Sequence, residues 1–181
     1  MLFRSKAAAA ASYVSDLLTR VSPPEAPAPE LYRFASEALD HLETGPATAS
    51  LVHWLELRLL DRLGLAPRLS RCLRCGRELR PDAGHSHFSY SEGGLLCESC
   101  IPRDARSGMP LGRDAYALLS AWQVAREPPG AGAPAFVPRA LSEIGKVLGL
   151  FIAYHLDTTL PSRKIALDIL RIRLPDGEDR R

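Results

Sequence analysis

Four cysteines in two close pairs are the residues of this chain whose types and spacing most clearly indicate chemistry. They follow the pattern C-x2-C-x21-C-x2-C and are Cys72, Cys75, Cys97 and Cys100. A C-x2-C turn directs two thiolates at one tetrahedral ion, and a second such turn supplies the other two ligands when the intervening chain folds back. The spacing therefore predicts a zinc site.

Zinc has three alternatives here: a pair of disulfides, free thiols in a loop, and an iron site of the rubredoxin type. Four cysteine ligands leave no position for water, so a zinc ion would be structural and not catalytic. Either His85 or His87 could replace a ligand, but we expect both to be exposed loop residues. We interpret His53 and His155 as packing residues, and with no catalytic constellation to assemble we predict that the chain is not an enzyme.

Arginines surround the first cysteine pair. Between residues 62 and 80 the only acid is Glu78, and the arginines are Arg62, Arg68, Arg71, Arg74, Arg77 and Arg80. They either offset the charge of about −2 on a zinc ion with four thiolates, or bind phosphates. A second basic group comprises Arg163, Lys164, Arg171 and Arg173, for which a solvated helix face is the simpler interpretation.

Composition indicates an intracellular helical protein. Of the 181 residues 46% are apolar, and leucine and alanine dominate that share, which favours helices. No apolar run reaches the roughly 18 residues that a membrane span needs. The alanine-rich start lacks the leucine-rich core of a signal peptide, so we interpret it as a first helix. A net charge of +2 is too small to indicate nucleic-acid binding by itself.

Hydrophobic periodicity predicts a mainly α fold, a helical bundle interrupted by a small cysteine-bearing insert. We expect helices over 7–20, 29–45, 47–63 and 109–127. A further long helix should be the central one, because its apolar residues recur at spacings of 4 and 3: Val137, Leu141, Ile144, Leu148, Phe151 and His155. Pro161 should open a last helix with Ile165, Leu167 and Leu170 as its apolar positions.

The insert should contain a hairpin with strands at 87–90 and 95–97 and a turn at 92–94. The predicted organisation is thus a first helical part at 1–69, a zinc-binding insert at 70–104, a second helical part at 105–174 and a disordered tail at 175–181.

Several segments, in this order, resemble the C-terminal region of RecO, the bacterial recombination mediator. They are "AAASYVSDLL", "LELRLLDRLGLAPRLSRCLRCGREL", "GGLLCESC" and "YHLDTTLPSRKIALDIL". The resemblance implies a cytoplasmic, nucleoid-associated DNA repair protein that binds single- and double-stranded DNA and anneals complementary strands. With RecR, such a protein helps RecA to replace single-strand-binding protein, whose acidic, Phe-ended tail docks on the helical domain. It also implies structural zinc on the four cysteines.

RecO proteins begin with an OB-fold barrel, and this chain begins within the helix that follows it. Because that barrel carries the principal DNA surface of the family, we expect partner binding to be better preserved here than DNA binding. The alternative class is an unrelated zinc-ribbon adaptor or an iron-binding electron carrier.

Overall fold

The computed structural model describes residues 2–82, 86–102, 108–130 and 137–172, which form helices and one small antiparallel sheet. The helices are α1 (Leu2–Val21), α2 (Pro29–Thr44), α3 (Ala49–Arg62), α4 (Arg113–Val124), α5 (Val137–His155) and α6 (Pro161–Arg171). The strands are β1 (Ser86–Ser89), β2 (Gly94–Cys97) and β3 (Gly108–Leu111), and a 3-10 turn covers Glu98–Cys100. The predicted mainly α fold is confirmed.

Local signals in the sequence set the ends of the helices. Thr48 caps α3 by accepting a hydrogen bond from the backbone N–H of Leu51 at 3.1 Å. Gly64, whose φ of 71° favours glycine, ends the turn that follows α3. Pro29 and Pro161 stand in the first turns of α2 and α6, where proline's missing N–H has no intrahelical partner to lose.

The most deeply buried helix is α3, not α5 as the sequence suggested. Ten of its 14 residues are buried, and it packs against α2, α4, α5 and α6. Its apolar side chains lie on all sides, in the run "LVHWLELRLL", which is the pattern of a helix surrounded by others. The apolar stripe of α5 packs as predicted, with Ile144, Leu148 and Phe151 buried.

The sheet has the strand order β2-β1-β3, and both pairings are antiparallel. Phe88 of the central strand is buried and contacts Phe151 of α5, with ring centroids 5.8 Å apart. Together with Leu95 and Leu111 it belongs to the same apolar core as the helices. The sheet is therefore attached to the bundle through one of its own faces.

Three expectations were wrong. Met109 to Leu111 was assigned to a helix, but it pairs with β1 as a strand because its backbone completes the sheet edge beside Ser86–Ser89. His87 was expected to be exposed, yet it lies in β1 and is 7% exposed. Ile165 was expected in the core, but it is exposed, while Leu167 and Leu170 are buried as predicted.

The hairpin and the helix positions otherwise agree with the sequence analysis. The division at 70–104 stays a prediction, and β3 lies beyond it. His85, Arg173 and the tail at 175–181 lie outside the described residues. Among the helices that are described, none has the length and apolar character needed to cross a membrane.

Candidate metal centre and neighbouring surfaces

The backbone hydrogen bonds of the first cysteine pair form a closed turn. Cys72 donates its N–H to the carbonyl of Arg77 at 2.8 Å, and Gly76 donates to the carbonyl of Cys72 at 2.9 Å. Gly76 has a φ of 72°, as expected for the glycine that closes such a knuckle. Leu73 donates to the carbonyl of Leu95 in β2 at 2.9 Å, which places the first pair against the strand that leads to the second pair.

The four cysteine sulfurs converge on one point. All four Sγ atoms of the Cys72, Cys75, Cys97 and Cys100 group lie within 4.8 Å of one another, and the cysteines are free. The Cys75 and Cys97 sulfurs are 3.7 Å apart. A tetrahedral ion with Zn–S bonds of about 2.3 Å requires sulfur separations of about 3.8 Å. The group therefore has the donor set and the dimensions to hold one metal ion.

The surroundings of Cys72 favour the thiolate that a metal needs. Burial raises the pKa of the Cys72 thiol, but backbone N–H groups of Cys75, Cys97 and Arg74 outweigh burial and lower this pKa to about 6. The N–H of Cys97 lies 3.4 Å from the Cys72 sulfur. In contrast, the thiol of Cys97 and burial raise the pKa of Cys100 to about 12. Four adjacent thiols cannot all ionise without a cation between them, so the site favours a metal-bound state.

Arg74 links the two cysteine pairs. Its guanidinium donates to both oxygens of Glu92 in the β1–β2 turn, at 3.2 and 2.8 Å. It also donates from Nη1 to the carbonyl of Cys100 at 3.3 Å. The hydrogen bond to Glu92 raises the pKa of Arg74, so the side chain stays charged beside the thiolates. This arginine supports the cysteine site and is already engaged.

The other arginines of the segment divide into two groups. Arg62 pairs with Glu37 and lies 5.2 Å from the ring centroid of Phe34, and Arg80 pairs with Glu78 at 3.1 Å. Within the part of the chain that the structure describes, Arg68, Arg71 and Arg77 have no carboxylate partner, and all three are exposed. Near the C-terminus, Lys164 pairs with Asp168 at 3.0 Å.

Arg163 is the least exposed of the predicted phosphate contacts, because it pairs with a buried acid that the sequence analysis missed. Its Nε donates to Glu56 Oε1 at 2.7 Å and its Nη2 to Glu56 Oε2 at 3.1 Å. The Tyr13 hydroxyl donates to Oε1 at 2.7 Å, and His53 Nδ1 lies 2.9 Å from Oε2. We call Tyr13, His53, Glu56 and Arg163 the Glu56 cluster.

The Glu56 cluster connects α1, α3 and α6 through one carboxylate that is 1% exposed. Burial by itself would raise the pKa of Glu56, but Arg163 and His53 lower it to about 2. The sequence contains a signal for the cluster, since Glu56 and His53 are the polar residues of the apolar run "LVHWLELRLL". An acid in a helix that is apolar on all sides predicts a buried partner.

A groove of about 580 Å³ lies between α5 and α6. Its apolar walls include Leu150, Leu160 and Leu167, and Gly145 and Gly149 provide depth on α5. A side chain at Gly149 would meet Arg163, since a Cβ there would lie 2.8 Å from Nη1. Four cations line this α5–α6 groove against the single carboxylate of Asp168: Lys146, Arg163, Lys164 and Arg171.

The chain matches one family model and several relatives. The model describes the C-terminal part of recombination protein O, and it matches residues 3–164. A DNA repair protein RecO from Anaeromyxobacter sp. strain K is 32% identical over 161 residues, which cover 89% of this chain and 62% of the relative. Another from Geobacter metallireducens is 34% identical over 152 residues, covering 84% and 59%. No solved structure matches.

The chain spans about three fifths of the length of these relatives, at 62% for the first. The resemblance seen in the segments around the cysteine pairs is thereby confirmed over most of the chain. We conclude that the chain belongs to the RecO family and corresponds to the C-terminal region of that family.

Proposed function

We propose that this chain is the partner-binding part of a DNA repair protein that acts as a recombination mediator, and that its four cysteines hold a structural zinc ion. The relatives carry the printed name DNA repair protein RecO. As in the family resemblance, the protein would promote annealing and the loading of RecA, with RecR and the tail of single-strand-binding protein as partners.

The observation that carries this proposal is the α5–α6 groove. Its apolar walls can hold an aromatic side chain, while Lys146, which has no ion pair among the described residues, provides a free cation at the rim. Arg163 is held in place by Glu56, so it offers a cation without having to order a flexible side chain. A groove of this kind suits an acidic peptide that ends in an aromatic residue, which is the chemistry of the tail of single-strand-binding protein.

Exposed arginines of the first cysteine pair give a second surface for DNA phosphates. Arg68, Arg71 and Arg77 are better suited than the arginines with carboxylate partners, because no described acid offsets their charge. Each phosphate contact should contribute about 0.7 to the slope of log affinity against log salt for single-stranded DNA. Replacing Arg71 and Arg77 with alanine should lower that slope accordingly.

The groove is tested with a fluorescein-labelled acidic peptide that ends in phenylalanine, measured by fluorescence anisotropy. We expect binding that weakens as salt rises, and at least tenfold weaker binding by Lys146→Glu, since a rim cation becomes an anion. Arg126→Glu makes the same change of net charge at an exposed position outside the groove, and it should bind like the original chain.

A peptide with alanine in place of the terminal phenylalanine separates the apolar contribution from the charge. It should bind at least tenfold more weakly, because the aromatic side chain no longer fills the groove. Equal effects of Lys146→Glu and Arg126→Glu, or binding that ignores both salt and the terminal residue, would contradict the assignment of the groove.

A further inference from the structure

A second cavity lies where the cysteine insert meets the C-terminal end of α5. It has a volume of about 500 Å³, and its walls include Arg68 and Glu92 from the insert side and Phe151 and His155 from α5. We call it the seam pocket. It is separate from the α5–α6 groove, and the two share none of their lining residues.

A continuous series of aromatic rings starts in the wall of the seam pocket and reaches the surface. The rings of Phe151 and His155 have centroids 4.2 Å apart, and His155 and Tyr154 follow at 5.2 Å. Tyr90, at the end of β1, adds a fourth ring 5.9 Å from Tyr154. Phe151 is buried, but the outermost ring, Tyr154, is 56% exposed. Packing the insert onto α5 therefore does not account for all of this aromatic surface.

The series is held in place by the backbone around it. His155 Nε2 lies 2.8 Å from the carbonyl of Tyr90, a hydrogen bond that fixes the imidazole between α5 and β1. Rings fixed in this way lose little conformational freedom when a flat ligand stacks on them. The surface is thus prepared for stacking before a ligand arrives.

The charge beside the rings is positive. The backbone of Arg68 is fixed by pairing with β2, through its N–H to Gly93 at 2.9 Å and its carbonyl to Leu95 at 3.0 Å. Its side chain is exposed and has no carboxylate partner among the described residues. The carboxylate of Glu92 also lines the pocket, but both of its oxygens accept hydrogen bonds from Arg74. Arg68 is therefore the cation that remains available to a ligand.

We propose that the seam pocket is a binding site for single-stranded DNA, in which a base stacks on the exposed Tyr154 and His155 rings and Arg68 contacts a phosphate. Aromatic rings next to unpaired cations are the usual means of binding single strands without sequence preference. The inference rests on the proposed DNA repair function and gives it a DNA site within the helical and cysteine-bearing region.

The experiment compares two labelled oligonucleotides of equal length, one an oligothymidylate and the other fully abasic, by fluorescence anisotropy. Both carry the same phosphates, so only stacking separates them. We expect Tyr154→Ala to bind oligothymidylate about tenfold more weakly and to bind the abasic strand unchanged, whereas Tyr154→Trp should retain binding. Arg68→Ala should weaken the binding of both strands and lower the salt slope by about 0.7.

Tyr32→Ala is the matched control, because Tyr32 is 74% exposed on α2 and no part of the seam pocket. It should bind both strands like the original chain. Each variant is also measured with the acidic peptide, which should bind normally, so a fault of the α5–α6 groove is detected separately. Oligothymidylate and abasic strands bound equally by the original chain, or normal oligothymidylate binding by Tyr154→Ala, would overturn the proposal.

Discussion

The helical bundle and the cysteine insert are stabilised in different ways. The bundle has a large apolar core, with Val52, Ile144 and Leu148 fully buried within it, and one ionic group at the Glu56 cluster. The insert has its own small apolar cluster of three buried residues, Cys72, Leu96 and Cys97, of which two are cysteines. So small a cluster offsets little of the entropy lost when these loops are ordered.

The difference indicates which region depends on a ligand and which does not. In the bundle a charged group is a local exception inside a fold that apolar burial already favours. In the insert the charged thiolates are the centre, and the surrounding chain takes its form from them. Each region can therefore be tested at its own centre without removing the other.

The largest effect is expected from loss of a buried cysteine. Cys72→Ser should abolish metal binding and unfold the insert, since metal-binding energy of about 10 kcal/mol or more is folding energy in small zinc modules. The helices should remain largely formed, because each keeps its apolar face. Far-UV circular dichroism measures the helix content, and Ser70→Ala, at an exposed position near the first pair, is the control. Collapse of the whole helical signal would show that the two regions fold as one.

A smaller effect is expected at the centre of the bundle. Glu56→Gln leaves the Arg163 guanidinium without its anion in a mostly buried site, so the free energy of unfolding should fall by about 3–5 kcal/mol. Tyr13→Phe removes only one hydrogen bond to the carboxylate and should cost about 2 kcal/mol. Urea unfolding at neutral pH measures both changes, and equal losses would contradict the central place of Glu56.

Acid should reduce the difference between Glu56→Gln and the original chain. The folded-state pKa of Glu56 is about 2, below the value of about 4.3 in an unfolded chain. Its stabilisation is therefore complete above about pH 5 and is lost as the pH falls toward 2. Urea unfolding of both proteins at pH 6 and pH 3 should show a smaller gap at pH 3. A gap that does not change would mean that the carboxylate contributes through packing alone.

The smallest effect is expected at the edge of the cysteine site. Arg74→Ala removes the link between Glu92 and the carbonyl of Cys100, so the second cysteine pair should hold its metal less firmly. Metal release to a chromogenic chelator should become about tenfold faster. Arg77→Ala changes an exposed neighbour with no carboxylate partner among the described residues and should release metal at the original rate. Identical rates in the two variants would contradict a positioning role for Arg74.

The parts that the sequence could predict are those with a repeating or exact pattern. The stripe containing Ile144, Leu148 and Phe151 predicted α5 because burial recurs at the helical period. The C-x2-C pairs predicted four converging sulfurs because the turn geometry is local. The hairpin that leads to Cys97 followed from its turn residues.

What could not be predicted depends on contacts between distant segments. Strand β3 pairs with β1 across more than a dozen residues, and its Met-Pro-Leu sequence has no strand signal of its own. Arg163 lies 107 positions from Glu56, so neither residue identifies the other from sequence. Likewise, pairing with Glu92 or Glu37 is what separates Arg74 and Arg62 from the exposed Arg68, although all of them belong to one arginine-rich stretch.

The most direct test of the account is the metal content of the purified chain together with the reactivity of its thiols. We expect one zinc ion per chain, no visible absorbance from iron, and four thiols that react with a thiol reagent only after a chelator removes the metal. Protein that contains no metal, or cysteines joined to one another in disulfides, would contradict the claim that a single ion organises the insert.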